Sequence, residues 1–231
     1  MAGAGVAARR KADTLIGAGR VTVNGLPAVV GQLVRPGQDR VAIDGREVGG
    51  APLEYWMLNK PVGVLTTVRD DRGRATVLQQ IPDAGGRLFP VGRLDLDSRG
   101  LVLMTNDGEL AVRLMHPRYH VEKEYRVTIA GAPAERALQR LRQGMQVGEE
   151  RFGAAAVEVL AASPTQTRIG MVLREGRKRE VRRMWRALGH RVLDLERVRI
   201  GPLRLGALPL GAGRALARDE IRALREAVGL P

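Results

Sequence analysis

Cysteine is absent from this 231-residue chain, which excludes disulfides and thiolate metal sites. Histidine is scarce: of the 3 present, His116 and His120 stand close together, but Pro117 interrupts any helix between them. They read as surface or turn residues, and no metal site is expected. Nowhere do about 18 apolar residues run together, so no membrane-spanning helix is expected. Residues 1 to 20 carry the basic run Arg9-Arg10-Lys11 and no apolar stretch, so no signal peptide is expected. These absences point to a soluble, cytoplasmic protein without a membrane partner. Aromatics are few, 2 Trp, 3 Tyr and 2 Phe, a poor supply for the stacking platforms of a sugar-processing cleft.

Positive charge is what the chain has in excess. Lys and Arg number 38 against 25 Asp and Glu, giving a formal net charge of +13 and a pI near 11.3. Such an excess favours a polyanionic partner, nucleic acid foremost. Apart from Lys11, Lys60, Lys123 and Lys178 the basic residues are all arginine, whose planar guanidinium forks onto phosphate and stacks on bases better than an ammonium does. A GC-rich genome or adaptation to heat yields the same bias, so the arginine count adds little by itself. An apolar content of 44% is enough to fill a core.

Along the chain, "ARRKADTLI" (8–16) predicts a short helix, followed by two alternating strands, "GRVTVNG" and "DRVAIDG", each ending in an Asn-Gly or Asp-Gly turn. "VGGAP", Val48 to Pro52, reads as a linker. Beyond it, strands are predicted in "EYWMLNKP", "FPVGRLDLD", "GLVLMTNDG", "KEYRVTIAG" and "QTRIGMVLREG". Helices are predicted in "GELAVRLMH", "AERALQRLRQG", "KREVRRMWRALG" and "ARDEIRALREAVG". Short strands divided by helices without a βαβ rhythm, with hairpin signals such as Asn106-Asp107-Gly108, predict an α+β fold whose sheet is mixed and largely antiparallel and flanked by helices. The expected division is a small module at 1–48, a linker at 49–53 and a larger domain at 54–231.

Two stretches carry candidate chemistry. On a helical wheel "KREVRRMWRALG" puts Arg179, Arg182, Arg183 and Arg186 on one side and Val181, Met184, Trp185 and Leu188 on the other, with Gly189 placed to end the helix as a left-handed cap. An arginine-only face suits phosphate or active-site contact better than solubility, which is served by interleaved charges. In "FPVGRLDLDSRGLVLMTNDGEL" (89–110), read as a strand at its start, Asp95 and Asp97 share a face and bracket Leu96. "DSRG" also reads as a turn in which Asp97 and Ser98 cap backbone amides. Asp95 is then the carboxylate without a structural duty. An ion pair with Arg93 or another arginine would explain it, as would membership of a glycosidase carboxylate pair.

"GRLDLDSRGLVLMTNDGEL" resembles the signature of the pseudouridine synthases that act on small- and large-subunit ribosomal RNA, in which Gly-Arg-Leu-Asp carries the catalytic aspartate; that residue is Asp95 here. "LNKPVGVLTT" resembles the family's first conserved strand and "RGRATVLQQIP" the segment after it. "ELAVRLMHPRYHVEKEYRV" resembles the stretch leading to its active-site tyrosine, which falls on Tyr125. "REGRKREVRRMWRALGHRV" resembles its last motif, whose active-site arginine falls on Arg182. Glu180 in "REVRRMW" matches the branch that modifies the large subunit, so the implied partner is ribosomal RNA, 23S in particular. The N-terminal "AGVAARRKADTLIGAGRVTVNG" resembles an S4 RNA-binding domain; such domains usually begin with a longer helix, and with only Met1 to Ala4 before this stretch, either the start codon is assigned too late or the module is shortened.

The resemblance implies isomerisation of uridine to pseudouridine without a cofactor: the bond from N1 to the ribose breaks, the base turns and rejoins through C5. It makes Asp95 the nucleophile or base, acting at ribose C1′, at uracil C6 or on a ribose proton. Arg182 is the cation that pairs with Asp95, and Tyr125 stacks on the uracil and accepts the C5 proton. Arg93 helps fill the stack left by the flipped uridine. Arg9, Arg10, Lys11, Lys60, Lys178, Arg179, Arg183 and Arg186 grip RNA phosphates. A monomer is implied. The alternative, a non-catalytic RNA-binding or ribosome-assembly protein, suits the charge equally well but does not call for Asp95, Tyr125 and Arg182 together.

Overall fold

A computed structural model describes residues 9–35, 38–49, 52–81, 84 and 87–231. Residues 1–8, the side chains of Arg9 and Arg10, and Gly50 and Ala51 of the expected linker lie outside the described residues.

Helix α1 (Arg9–Gly17) precedes a four-stranded sheet of β1 (Val21–Val23), β2 (Leu26–Pro27), β3 (Val41–Ile43) and β4 (Arg46–Glu47), in the order β2-β1-β3-β4. Both expected strands form, and each turns straight into a hairpin partner. Asn24 and Gly25 (φ 54° and 83°) and Asp44 and Gly45 (φ 50° and 77°) all take positive φ, the two-residue turn whose twist matches that of the flanking strands. Arg20 ties the second turn to the first strand through its Nε, 2.9 Å from Asp44 Oδ1.

The remaining strands are β5 (Tyr55–Lys60), β6 (Phe89–Val91), β7 (Arg99–Thr105), β8 (Lys123–Ala130), β9 (Met145–Val147), β10 (Glu150–Phe152), β11 (Ala156–Ala162), β12 (Gln166–Leu173), β13 (Val192–Ile200), β14 (Leu203–Arg204) and β15 (Gly213–Ala215). β9 and β10 form a separate hairpin; the others make one nine-stranded sheet ordered β11-β12-β8-β13-β7-β5-β15, with β14 on β13 and β6 on β7. Its pairings are antiparallel except that of β7 with β13. This is the expected mixed, largely antiparallel sheet.

Alternation along the strands sends apolar side chains to both faces. Val102 and Met104 of β7 join one apolar layer, with Val127 and Ile129 of β8, while Leu101 and Leu103 join the other. Helices α3 (Glu135–Gln143) and α4 (Glu180–Ala187) cover the first layer through Leu138, Leu141, Met184 and Trp185. Helices α2 (Gly108–Met115) and α5 (Arg218–Glu226) cover the second through Leu110, Leu114 and Leu224. Asp107 begins α2, accepting from Leu110 N at 3.0 Å, and also takes the Tyr55 hydroxyl at 2.8 Å and Arg225 at 3.0 Å. Burial and the adjacent Asp107 push the Tyr55 phenol up to about 12.

Strands β9, β10, β11, β14 and β15 lie outside the stretches predicted as strands, and two further features depart from the sequence reading. "FPVGRLDLD" is not one strand: β6 stops at Val91, Gly92 turns with φ 75°, and Arg93 to Ser98 form a loop. Asp95 and Asp97 therefore do not share a strand face. The central strand β13, "VLDLERVRI", was not anticipated, because it intersperses charged residues that look solvated. Instead Arg99 reaches across to them, with Nε and Nη2 at 3.1 and 2.8 Å from the Asp194 carboxylate and Nη1 at 2.5 Å from Glu196.

That contact sits on the parallel junction, which is only two residue pairs long: Glu196 opposite Arg99 and Arg197 opposite Gly100. Gly100 has φ +105°, and a Cβ there would lie 2.3 Å from the Arg197 carbonyl oxygen and 2.7 Å from its nitrogen. Both the backbone angle and the space demand glycine. Gly100→Ala should therefore lower the unfolding free energy by at least about 3 kcal/mol, read from denaturant midpoints; a variant within about 1 kcal/mol of wild type would show that the two strands part without cost.

Candidate active site

The site grows from the loop between β6 and β7. Three backbone points of this loop are tied to the end of β5 and the segment after it. Thr66 Oγ1 donates to Leu94 O at 2.8 Å, Gly63 N donates to Leu96 O at 2.9 Å, and Lys60 Nζ donates to Ser98 O at 2.7 Å. Asp95 lies among these ties, half-buried, with its carboxylate held out of the core. The two motifs "LNKPVGVLTT" and "GRLDLDSRG" are thus one structural unit.

Across the junction, α4 supplies the cations. Its apolar side is locked down: Met184 and Trp185 are fully buried, and the Trp185 N–H points at Met171 Sδ, 3.1 Å away. Arg179, just before the helix, adopts a left-handed backbone (φ 53°, ψ 30°), a conformation costly for a side chain with Cβ and found at functional sites. Its guanidinium forks onto Asp97 at 3.2 and 3.0 Å, and its Nη1 stands 3.8 Å from the Asp95 carboxylate. Arg182 donates to the Asp97 carbonyl at 2.7 Å and to Val192 O at 3.3 Å, with its Nε 3.4 Å from the Asp97 carboxylate. Burial pushes the Asp97 carboxyl up, but the two guanidiniums outweigh it and hold it below the ordinary carboxylate range.

Several expected roles are redistributed. Arg182 pairs with Asp97, and the arginine beside Asp95 is Arg179. Asp97 is more than a turn cap, since it binds both arginines. Lys60, expected at the RNA surface, is fully buried, with its ammonium on Ser98 O and on Pro61 O at 2.9 Å. Burial lowers it to about 8 despite the neighbouring Asp97 and Asp95. Arg183 stacks on Phe152, 4.6 Å from the ring centre, and pairs with Glu150 at 2.5 Å. Of the four arginines on the helical wheel only Arg186 is unpaired among the described residues. Arg93, Lys178 and Lys11 are exposed. His116 is a turn residue, accepting from Arg118 N at 3.2 Å, and His120 takes φ 49°.

Tyr125 stands on β8 opposite Arg197, which in turn lies opposite Gly100. Two strand spacings therefore put it about 10 Å from the start of β7. The residue is only 7% exposed, packed into the apolar layer that includes Val127 and Ile129. Three charged groups surround this part of the sheet, of which the sequence reading singled out only Glu180. Arg197 is buried and donates from Nε to Leu101 O at 2.9 Å. Burial, with Arg197 nearby, lowers the Lys123 ammonium; burial raises the Glu180 carboxyl, which accepts from Arg177 N at 3.0 Å and so helps start α4. The only sequence signal for Lys123 was its position two residues before Tyr125, which puts both on one strand face.

A half-buried carboxylate beside an arginine, on the loop entering β7 two strands from a buried tyrosine and in a strongly basic chain, fits an enzyme working on nucleic acid. Residues 54–187 match the family model described as RNA pseudouridylate synthase. The chain is 41% identical over 229 residues, 98% of its length and 92% of the relative's, to an uncharacterized RNA pseudouridine synthase of Aquifex aeolicus (strain VF5). It is 38% identical over 227 residues, 97% and 93% of the two lengths, to ribosomal large subunit pseudouridine synthase B of Bacillus subtilis (strain 168). A crystal structure of pseudouridylate synthase superposes with a TM-score of 0.67 at 30% identity, covering 96% of each chain. The chain belongs to the RNA pseudouridylate synthase family.

The buried Lys60 yields a prediction. Lys60→Met should lower turnover about tenfold or more by loosening the loop, while leaving the salt dependence of RNA binding unchanged. A fall in that slope by roughly 0.7 to 0.9 would instead reveal a phosphate contact. Because burial lowers Lys60 to about 8 in the folded protein against 10.5 for a free lysine, the unfolded state binds the extra proton between those values. Wild-type stability should rise with pH through that window, and the Met variant should lose that rise.

Proposed function

We propose that this chain isomerises a uridine of large-subunit (23S) ribosomal RNA to pseudouridine, with Asp95 as the reacting carboxylate. The observation that carries the reading is the placement of Asp95 in a loop fastened at Leu94, Leu96 and Ser98 and faced by Arg179. The near full-length similarity to a large-subunit synthase supports the choice of RNA. Uridine and pseudouridine are isomers, so the reaction needs no redox partner.

Fixed geometry of this kind serves attack by, or proton transfer to, a carboxylate, since a reacting group held in place spares the entropy of finding its target. Arg179 and Arg182, anchored by Asp97, set the positive field around Asp95. Tyr125 forms the floor against which the uracil turns and takes the C5 proton. Arg93, exposed and unpaired among the described residues, is placed to enter the RNA stack as the uridine leaves it. Lys178 and Arg186 meet phosphates around the opening. We assign residues 1–48 to an S4-like RNA-binding module, in which Arg9, Arg10 and Lys11 meet the RNA backbone, and 54–231 to the catalytic domain, acting as a cytoplasmic monomer.

Asp95→Asn should cut pseudouridine formation by more than about a thousandfold with unfolding midpoint and RNA affinity near wild type. Tyr125→Phe should keep binding while turnover falls. Conversion by Asp95→Asn at the wild-type rate would remove Asp95 from the chemistry.

A further inference from the structure

A groove of about 470 Å³ runs along α4, lined by Arg179, Arg182, Arg183, Arg186 and Arg191 and ending at His190. On the other side of His190 lies a second hollow, about 350 Å³, walled by Ala132, Leu188 and, from α3, Arg136 and Arg140. His190 belongs to both. Its ring is fixed at Ala130 O, 3.0 Å away, and stands edge-on to Trp185, so it forms a rigid shared wall.

The cations are not equivalent. Near Asp95 they are spent internally: Arg179 and Arg182 on Asp97, Arg183 on Glu150 and Phe152. Away from it, Arg186, Arg191, Arg136 and Arg140 are exposed and carry no side-chain hydrogen bond or ion pair among the described residues. Ala137, Leu138 and Leu141 of α3 are buried, which turns Arg136 and Arg140 outward together. Like charges one helical turn apart destabilise a helix, and Glu135, the acid nearest in sequence, is taken by Arg142 at 3.0 Å. Nothing within the described residues compensates this pair.

We propose that Arg136 and Arg140 continue the RNA track beyond the groove along α4, binding backbone phosphates of a segment that flanks the target uridine. The inference rests on the RNA reading above and extends it to α3. The hollow offers guanidinium forks against alanine and leucine, a lining suited to phosphate and not to base edges. The contact therefore adds affinity and orientation for a large RNA without reading its sequence.

The test compares R136Q/R140Q with wild type on a full 23S ribosomal RNA transcript and on a short hairpin cut around the uridine modified in it. Two lost phosphate contacts should lower the slope of log affinity against log salt by roughly 1.4 to 1.8 on the transcript. The hairpin slope and the turnover at saturating RNA should stay at wild-type values, and R136K/R140K should restore the slope. An unchanged slope on the transcript, with wild type forming pseudouridine in the same samples, overturns this inference alone. An equal loss on the hairpin overturns the placement of the contact outside the target. Absence of pseudouridine formation and RNA binding by wild type overturns the parent reading and this one with it.

Discussion

The structure depends on how closely two backbones approach at the junction of β7 and β13. On one side lie β5, β6, β7 and β15; on the other, β8 and β11 to β14. The two groups of strands join through two residue pairs, and Gly100 makes that join possible by leaving the space that Arg197 occupies. A join so short gains strength from side chains: Arg99 binds Asp194 and Glu196 across it, and Arg197 donates to Leu101 O.

The candidate chemistry straddles the same line. Asp95 and Asp97 come from the loop entering β7, whereas Arg179 and Arg182 come with α4 and Tyr125 with β8. The ion pairs that shape the site are therefore also contacts between the two halves of the sheet. This couples stability to function: a change that lets the halves part also moves the arginines away from the aspartates. Partly buried pairs of this kind are screened less by salt than surface pairs are, so the site is held in ionic conditions that weaken the outer phosphate contacts.

The local elements were legible because each has a local cause. Asn-Gly and Asp-Gly specified the two hairpins of the small sheet, and the 3.6-residue spacing of Val181, Met184, Trp185 and Leu188 specified the buried side of α4. The motif residues Asp95, Tyr125 and Arg182 were singled out through resemblance, not through any local pattern. What escaped was pairing at long range. Lys60 is bonded to a carbonyl 38 residues away, and no pattern in "LNKP" distinguishes an ammonium tying a loop from one meeting a phosphate. Asp97 looked like a turn residue because its partners lie more than 80 residues on. β13 was missed because Asp194 and Glu196 look like a solvated strand until Arg99 is placed opposite them.

The central claim is that ion pairs across the junction set the geometry around Asp95. A double-mutant cycle on Asp97→Asn and Arg179→Gln, read in single-turnover rates of pseudouridine formation, tests it most directly. If the pair acts as one clamp, each single change lowers the rate by about ten- to a hundredfold, and the double variant is no slower than the slower single. Rate losses that multiply in the double variant would contradict the account, showing that Asp97 and Arg179 act independently.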